Sequence, residues 1–528
     1  MKFRFFILFG FFLILYSLLG FNLYTLQIEK GESYLKKVQA RNEFLADLEL
    51  KRGQIFFLDR NQNDISVALN KNYPLLYAVP KEIQNPEQTA VLLVPLIGGE
   101  EKKLAAIFSD HQSLYRLLAD KLSPDLINNL EKIGPLQGIY IDTQPYRFYP
   151  FQNLASQVLG FFGINDKNSK PTGIYGLEEF YNNVLSQEKN LYLTIDRSLQ
   201  VQSENVLNGL IQKFDAVGGT IIIEEPKTGK ILALTNKPDF DPNEYSSSSI
   251  KNFLNPAIHY LYEPGSVLKP LTMAAGIDLE VLTPTTTYVD AGRVTLNGKT
   301  IENWNHKAYG KITITEVIEQ SVNTGAVFAE QKIGNSQFYN YLKKFGLDKI
   351  TNIDLPKEAV GNLKNLSRKE ARAIDFATAS FGQGIAVTPM ELISAFSAIA
   401  NGGVLMRPFL NRDLNPQIVD RVIKPETSRL VIEMMESAVN KAQVAAIPGY
   451  RIAGKTGTAQ IPDFQKGGYT EEYIHTYVGF APISDPRFIV LVKLDKPNSN
   501  LAAQSVVPAF RDLAQFIFNY YNIPPDKL

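Results

Sequence analysis

A run of 22 residues, Phe5 to Leu26, contains no charged side chain and is dominated by Phe, Leu and Ile. No other segment constrains the fold of the chain so strongly. As an α-helix rising ~1.5 Å per residue it measures about 33 Å, enough to cross a hydrocarbon core of ~30 Å. Lys2 and Arg4 precede it, a charge placement that keeps an N-terminus cytoplasmic. The competing reading is a cleaved signal peptide. The apolar region of a signal peptide usually runs ~7–15 residues and ends at an Ala-x-Ala-like site. This run is longer and has no such site. The expectation is an uncleaved single-pass anchor over 5–26, after a cytoplasmic tail of residues 1–4. No later stretch is apolar enough to span, so the bulk of the chain is expected outside the cytoplasm.

The remainder is long enough for several cores: at ~150 residues per domain, a chain of 528 residues accommodates about three. Lys+Arg and Asp+Glu balance at 54 each, and no basic run carries interleaved aromatics. That argues against nucleic acid as a partner. There is no cysteine, which excludes disulfides, thiol catalysis and Cys-based zinc sites. His111, His259, His306 and His475 are scattered with no His-x-x-x-His pair, so no metal is expected.

Residues 27–191 read as a mixed α/β module. Ile55–Leu58, Leu75–Val79 and Gly138–Ile141 are strand candidates, and the apolar spacing through Leu114, Leu117, Leu118 and Leu122 predicts a mostly helical stretch from Glu101 to Ile133. Asp59 and Arg60 suggest an ion pair or a turn more than a site. Residues 192–528 read differently. Ser198–Phe214 has helical spacing. Thr220–Ile223 and Ile231–Leu234 flank a turn, Phe488–Lys493 is a later strand, and Val506–Tyr520 is a final helix. Strands first, helices next and strands last give an α+β domain, an antiparallel sheet with helices beside it. Val404–Lys424, with Pro408 and Pro416, reads as an excursion.

Within this second region lies Glu263-Pro-Gly-Ser-Val-Leu-Lys-Pro270. A serine hydroxyl is protonated at neutral pH and needs a base within hydrogen-bond reach to act as a nucleophile. One helical turn separates i from i+3, so Ser266-x-x-Lys269 sets an amine beside a hydroxyl. Downstream come Ser321-Val-Asn323 and Lys455-Thr-Gly-Thr458. Taken singly, each motif has an ordinary reading: a chance pair, a helix cap, a strand end. In this order they form the signature of serine β-lactamases and penicillin-binding proteins. A second Lys-Thr-Gly, Lys227–Gly229, follows Pro226 at a hairpin tip and reads as turn chemistry.

On these motifs the chain resembles the class B penicillin-binding proteins, and in particular their division-type (septal) branch. Further stretches carry the resemblance: Thr378-Ala-Ser-Phe-Gly-Gln-Gly384, Val387-Thr-Pro-Met390, Ala400-Asn-Gly-Gly403 and Tyr477-Val-Gly-Phe-Ala-Pro482, and upstream Arg52-Gly53, Asp59-Arg-Asn61, Arg147-Phe-Tyr-Pro150 and Gly176-Leu-Glu178. The resemblance implies a penicillin-binding, serine β-lactamase-like transpeptidase domain over 192–528 above a dimerisation-like pedestal over 27–191. It implies Ser266 as the acyl-accepting nucleophile and Lys269 as its base. Ser321 would relay a proton to the leaving amine, and Asn323 would orient Lys269 and bind the substrate amide. Lys455 would supply positive potential, with Thr456 and Thr458 offering hydroxyls to a carboxylate. Gly457 would leave room for the substrate backbone, and the N–H groups of Ser266 and Thr458 would form an oxyanion hole. Trp304 fits the rim of such a site or a packing position equally well.

The function implied is that of a peptidoglycan D,D-transpeptidase of the bacterial inner membrane, needing no cofactor. Its partners would be D-Ala-D-Ala stem peptides, β-lactam antibiotics acylating the same serine, the lipid bilayer, a multi-span glycan polymerase of the shape, elongation, division and sporulation (SEDS) type, and other division proteins. Nothing resembling a glycosyltransferase region precedes the pedestal, which separates the chain from bifunctional class A proteins. The alternatives are an elongation-type transpeptidase, a β-lactam-hydrolysing enzyme and a non-catalytic penicillin-binding sensor or scaffold.

Overall fold

The computed structural model describes residues 2–25, 51–164 and 171–527, with the side chains of residues 2–8 outside that description. Leu26 and residues 27–50 of the expected pedestal also lie outside the described residues. An α-helix covers Lys2–Tyr24, taking in Lys2, Arg4 and the apolar run as far as Tyr24. Among the described residues, no helix is long and apolar enough to cross a membrane. The chain divides into two compact units: residues 1–52, 70–148 and 164–171, and residues 53–69, 149–163 and 172–528.

The first unit is built around a small core of Leu76, Ala78, Ile83, Ala90, Leu93, Phe108, Leu122 and Leu130. Helices Pro86–Ile97, Glu101–Phe108 and Pro124–Ile133 supply half of it. The helix expected through Leu117 is interrupted, because Arg116–Ala119 is a strand pairing Leu117 with Tyr77 and Arg116 with Ala78. Four apolar residues in a short segment fit both periods, and here sheet pairing decides between them.

In the second unit, five strands form one antiparallel sheet: β1 (Gly218–Glu225), β2 (Lys230–Lys237), β3 (Ala453–Pro462), β4 (Tyr469–Ala481) and β5 (Phe488–Asp495), in the order β3-β4-β5-β1-β2. β1 and β2 form the hairpin expected from their sequence, with Lys227–Gly229 in its turn. β3 is an edge strand. Six helices matter to the site: α1 (Arg197–Phe214), α2 (Lys269–Asp278), α3 (Ile314–Gln320), α4 (Asn323–Ile333), α5 (Pro389–Ala400) and α6 (Val506–Tyr521).

Both faces of the sheet are covered by helices. Val490, Val492 and Leu494 pack with Leu207 of α1 and with Phe510 and Ile517 of α6. Ile489 and Leu491, alternating with them on β5, join the larger core that contains α2 and α5. A strand buried on both faces has no polar side to show, which explains the unbroken apolar run in β5. Helix α5 is buried at every position. Its start is written in Thr388-Pro-Met-Glu391: the Thr388 side chain accepts from the Glu391 N–H, the Glu391 carboxylate accepts from the Thr388 N–H, and Pro389 fills the first turn.

Candidate active site

Ser266 lies in a single 3₁₀ turn, Gly265–Leu268, that runs directly into α2. This is tighter than the α-helical start the sequence suggested. It suits the pair better, because side chains at i and i+3 eclipse in a 3₁₀ turn. Lys269 Nζ lies 3.0 Å from Ser266 Oγ. Gly265 holds a positive φ of 64°, and its N–H donates to the carbonyl of Gly382 at 3.0 Å. Thr272 of α2 donates to the carbonyl of Ser380 at 2.8 Å. The segment Thr378–Gly384 therefore supports the serine turn from beneath.

Ser321 and Asn323 sit at the junction of α3 and α4. Helix α3 starts with a Thr313/Glu316 capping box and ends at Ser321, which adopts a left-handed conformation (φ 56°, ψ 42°). A non-glycine residue there costs roughly 1 kcal/mol or more. The bend directs Ser321 and Asn323 at Lys269, whose Nζ lies 2.6 Å from the Ser321 carbonyl, 3.3 Å from its Oγ and 2.9 Å from Asn323 Oδ1. Asn323 presents its oxygen because its Nδ2 is committed to the Glu302 carbonyl at 2.9 Å.

Lys455, on β3, closes the cluster. Its Nζ lies 3.0 Å from Ser321 Oγ, 3.1 Å from the Thr456 carbonyl and 3.4 Å from Thr456 Oγ1. The Thr458 hydroxyl accepts from the Ala502 N–H at 3.2 Å, which leaves its own hydrogen to donate. Gly457 has close neighbours within the chain: a Cβ there would stand 2.7 Å from the Pro264 carbonyl oxygen and 3.1 Å from Val267 Cβ. The glycine lets β3 lie against the serine turn. Gly457→Ala is expected to displace that turn and lower the penicillin acylation rate at least tenfold, on the scale of small misplacements of reacting groups. An unchanged rate in a folded variant would mean the turn tolerates the shift.

Electrostatics distinguish the two lysines. Lys269 is fully buried and Lys455 almost so, and neither has a carboxylate partner among the described hydrogen bonds and ion pairs. Burial, reinforced by the neighbouring Lys455 charge, holds the Lys269 amine well below the usual lysine range. Burial alone pushes Lys455 down to about 7. A neutral Lys269 has two N–H bonds and one lone pair. The Ser321 carbonyl and Asn323 Oδ1 take the N–H bonds, and the lone pair is left to accept the Ser266 proton. The cluster is thus a serine hydroxyl beside a buried amine of lowered proton affinity, with a second buried amine next to it. Among the described residues no group of His, Asp or Glu is arranged to hold a metal ion.

Two further residues border the site, Glu263 with a role the motif did not announce and Trp304 at the rim position the sequence left open. Glu263 accepts from the Gly384 N–H and from the Tyr469 hydroxyl, both at 3.0 Å, tying the start of β4 to the serine turn. Trp304 is half exposed and donates from Nε1 to the Gln320 carbonyl at 3.2 Å, next to Ser321. Asp59 accepts from the N–H groups of Asn61 and Asn63 and forms a turn.

Residues 219–515 match the model of the penicillin binding protein transpeptidase domain, and residues 48–209 that of the penicillin-binding protein dimerisation domain. The chain belongs to the penicillin-binding protein transpeptidase family. Among relatives of this penicillin-binding protein, stage V sporulation protein D of Bacillus subtilis (strain 168) is 31% identical, with 94% of this chain and 82% of that protein covered. The peptidoglycan D,D-transpeptidase FtsI of Escherichia coli (strain K12) is 27% identical over 99% of this chain and 93% of its own. The peptidoglycan D,D-transpeptidase FtsI homolog of Mesostigma viride is 28% identical, at 96% and 94% coverage. The pairing of the two domains makes the chain a class B penicillin-binding protein.

Proposed function

We propose that this penicillin-binding protein is a peptidoglycan D,D-transpeptidase working through an acyl-enzyme on Ser266. The observation that carries this reading is a fully buried amine, Lys269, 3.0 Å from a serine hydroxyl and tied to no carboxylate. Ser266 Oγ attacks the carbonyl carbon of the penultimate D-Ala, and its proton passes to Lys269. As the C–N bond to the terminal D-Ala breaks, the leaving nitrogen takes a proton through Ser321, which bridges the two lysines. An amine from a neighbouring stem then attacks the acyl carbon, its proton returns by the same route, and Ser266 is released. The Ser266 and Thr458 N–H groups stabilise the oxyanion. Lys455, Thr456 and Thr458 hold the terminal carboxylate, while Asn323 orients Lys269. The free edge of β3 suits an extended peptide, whose backbone it can pair. A β-lactam acylates the same serine.

This assignment predicts a pH dependence. Lys455 holds the carboxylate only when charged, and its charge is lost as pH rises through about 7. Lys269 is also held well below the usual lysine range, by burial and by the Lys455 charge. The second-order acylation rate should therefore fall on the alkaline side of about pH 7. At saturating β-lactam the bound carboxylate favours the ammonium, so that limb should move up. A flat profile from pH 6 to 9 would remove Lys455 from the role.

We further propose an anchor at 5–26, a pedestal over 27–191 and a transpeptidase domain over 192–528, with the chain facing away from the cytoplasm. The supports are the charge-free run and the positive residues before it. A transpeptidase domain has no machinery for making glycan strands, so a membrane glycan polymerase of the SEDS type is the proposed partner, at the septum. Penicillin labelling and peptide transfer by the purified protein test the chemistry. Depletion in the native bacterium tests the setting: filaments with failed septa are expected, whereas rounded cells that still divide would assign the chain to elongation.

A further inference from the structure

The turn bearing Ser321 and Asn323 is gripped from one short segment, Glu302–Trp304, at four points. The Glu302 carbonyl accepts from Asn323 Nδ2 at 2.9 Å, and the Trp304 Nε1–H donates to the Gln320 carbonyl at 3.2 Å. Between them, Asn303 Oδ1 accepts from the N–H groups of Asn323 and Thr324, at 3.1 and 3.2 Å. These are orphan donors at the start of α4, for which the helix itself has no partner. An amide side chain could equally present its NH₂ here, which would set donor against donor.

What fixes the amide the right way round is Asp290. This carboxylate is 2% exposed and every near neighbour is a donor. Oδ1 accepts from the Gly292 N–H at 2.9 Å and from the Thr324 hydroxyl at 2.6 Å. Oδ2 accepts from Asn303 Nδ2 and the Tyr309 N–H, both at 2.9 Å. Asn303 Nδ2 also donates to the Lys307 carbonyl at 2.9 Å. Both hydrogens of that amide are thereby spent, and its oxygen must face α4.

We propose that Asp290 and Asn303 are positioning residues for acyl transfer, a clamp that sets Asn323 and the Ser321 carbonyl at the distances at which they hold Lys269 against Ser266. The clamp touches neither substrate nor nucleophile. It acts through a continuous chain: Asp290 to Asn303, Asn303 to Asn323, Asn323 to Lys269, Lys269 to Ser266. The inference rests on the acyl-enzyme reading above. No spacing rule exposes it, because Asp290 ends the strand Thr287–Asp290 and Asn303 follows the strand Lys299–Glu302, in two separate pairings.

The test uses the whole protein and a fluorescent penicillin, with non-covalent affinity and the acylation rate constant at saturation measured separately. Asp290→Asn is isosteric but turns an NH₂ toward donors. Asn303→Asp keeps the acceptor for α4 but sets two carboxylates against each other. Each single variant is expected to lose roughly tenfold or more in the saturated acylation rate, with affinity changed less than about threefold. The reciprocal double variant restores a donor–acceptor pair and should recover part of the rate. Thermal melting identifies folded variants. Should Asp290→Asn fail to fold, Thr324→Val removes one donor to Asp290 while leaving both clamp residues, and a smaller loss of the same kind is expected. A folded variant with an unchanged saturated rate overturns the clamp. So does a loss shared equally between affinity and rate, or a double variant no better than the worse single one. A wild-type protein that forms no adduct on Ser266 would instead overturn the catalytic reading itself.

Discussion

Ser266→Ala should abolish covalent penicillin labelling while leaving the fold intact. The substitution removes one hydroxyl from a 3₁₀ turn, with a single described side-chain hydrogen bond to Lys269. The turn is held by other means: the Gly265 N–H on Gly382, Thr272 on Ser380, and the close seat of Gly457. Chemically nothing replaces the lost oxygen. Lys269 is buried and engaged with Ser321 and Asn323, and the Ser321 hydroxyl lies between two amines. The acylation rate should fall on the order of 10⁴-fold or more, as for nucleophile deletions in other acyl-transfer enzymes. Intact-mass spectrometry reads the outcome, and a penicilloyl adduct on the Ala variant would remove Ser266 as nucleophile.

Lys269→Ala and Lys455→Ala should both be severe, in different steps. Loss of Lys269 deletes the base, so acylation should collapse by roughly 10²–10⁴-fold even at saturating β-lactam. It also strands the Ser321 carbonyl and Asn323 Oδ1, each a part-buried acceptor losing its donor. Loss of Lys455 removes the positive charge from the carboxylate subsite and one of the two donors to Ser321. Binding should weaken roughly tenfold or more, the scale of a charge-assisted hydrogen bond, and the rate should fall as well. Stopped-flow acylation over a range of β-lactam concentrations separates the steps. Equal and small effects of both variants on both steps would contradict the assignment.

The sequence displays the reacting groups better than the scaffold that aims them. Ser266, Lys269, Ser321, Asn323 and Lys455 converge in one cluster, and their motifs were readable because each needs a particular side chain at a fixed local spacing. The β1–β2 hairpin and helix α6 were readable for a similar reason, since turn residues and apolar period agree there. Asp290 and Asn303 were invisible: they meet only when two short strand pairs fold, and a buried Asp in sequence looks like any surface Asp. Glu263 stood inside a recognised motif, yet its partner Tyr469 lies far along the chain. Arg116–Ala119 was misread as helix because four residues cannot establish a period against sheet pairing. Gly457 was read as room for a substrate backbone, and its near neighbours within the chain, Pro264 and Val267, were not foreseen, because close backbone approach says nothing of which segment approaches.

Helix α5, buried along its whole length, has a consequence in time. Its amides cannot meet solvent through fraying or a small local opening, so their hydrogen exchange should follow global unfolding. At the other extreme, Phe464 is 93% exposed at the tip of the β3–β4 hairpin, where the surrounding backbone has little packing to keep water away. The Tyr469–Glu263 hydrogen bond ties that hairpin to the serine turn, so acylation of Ser266 should change protection there before α5 registers any change.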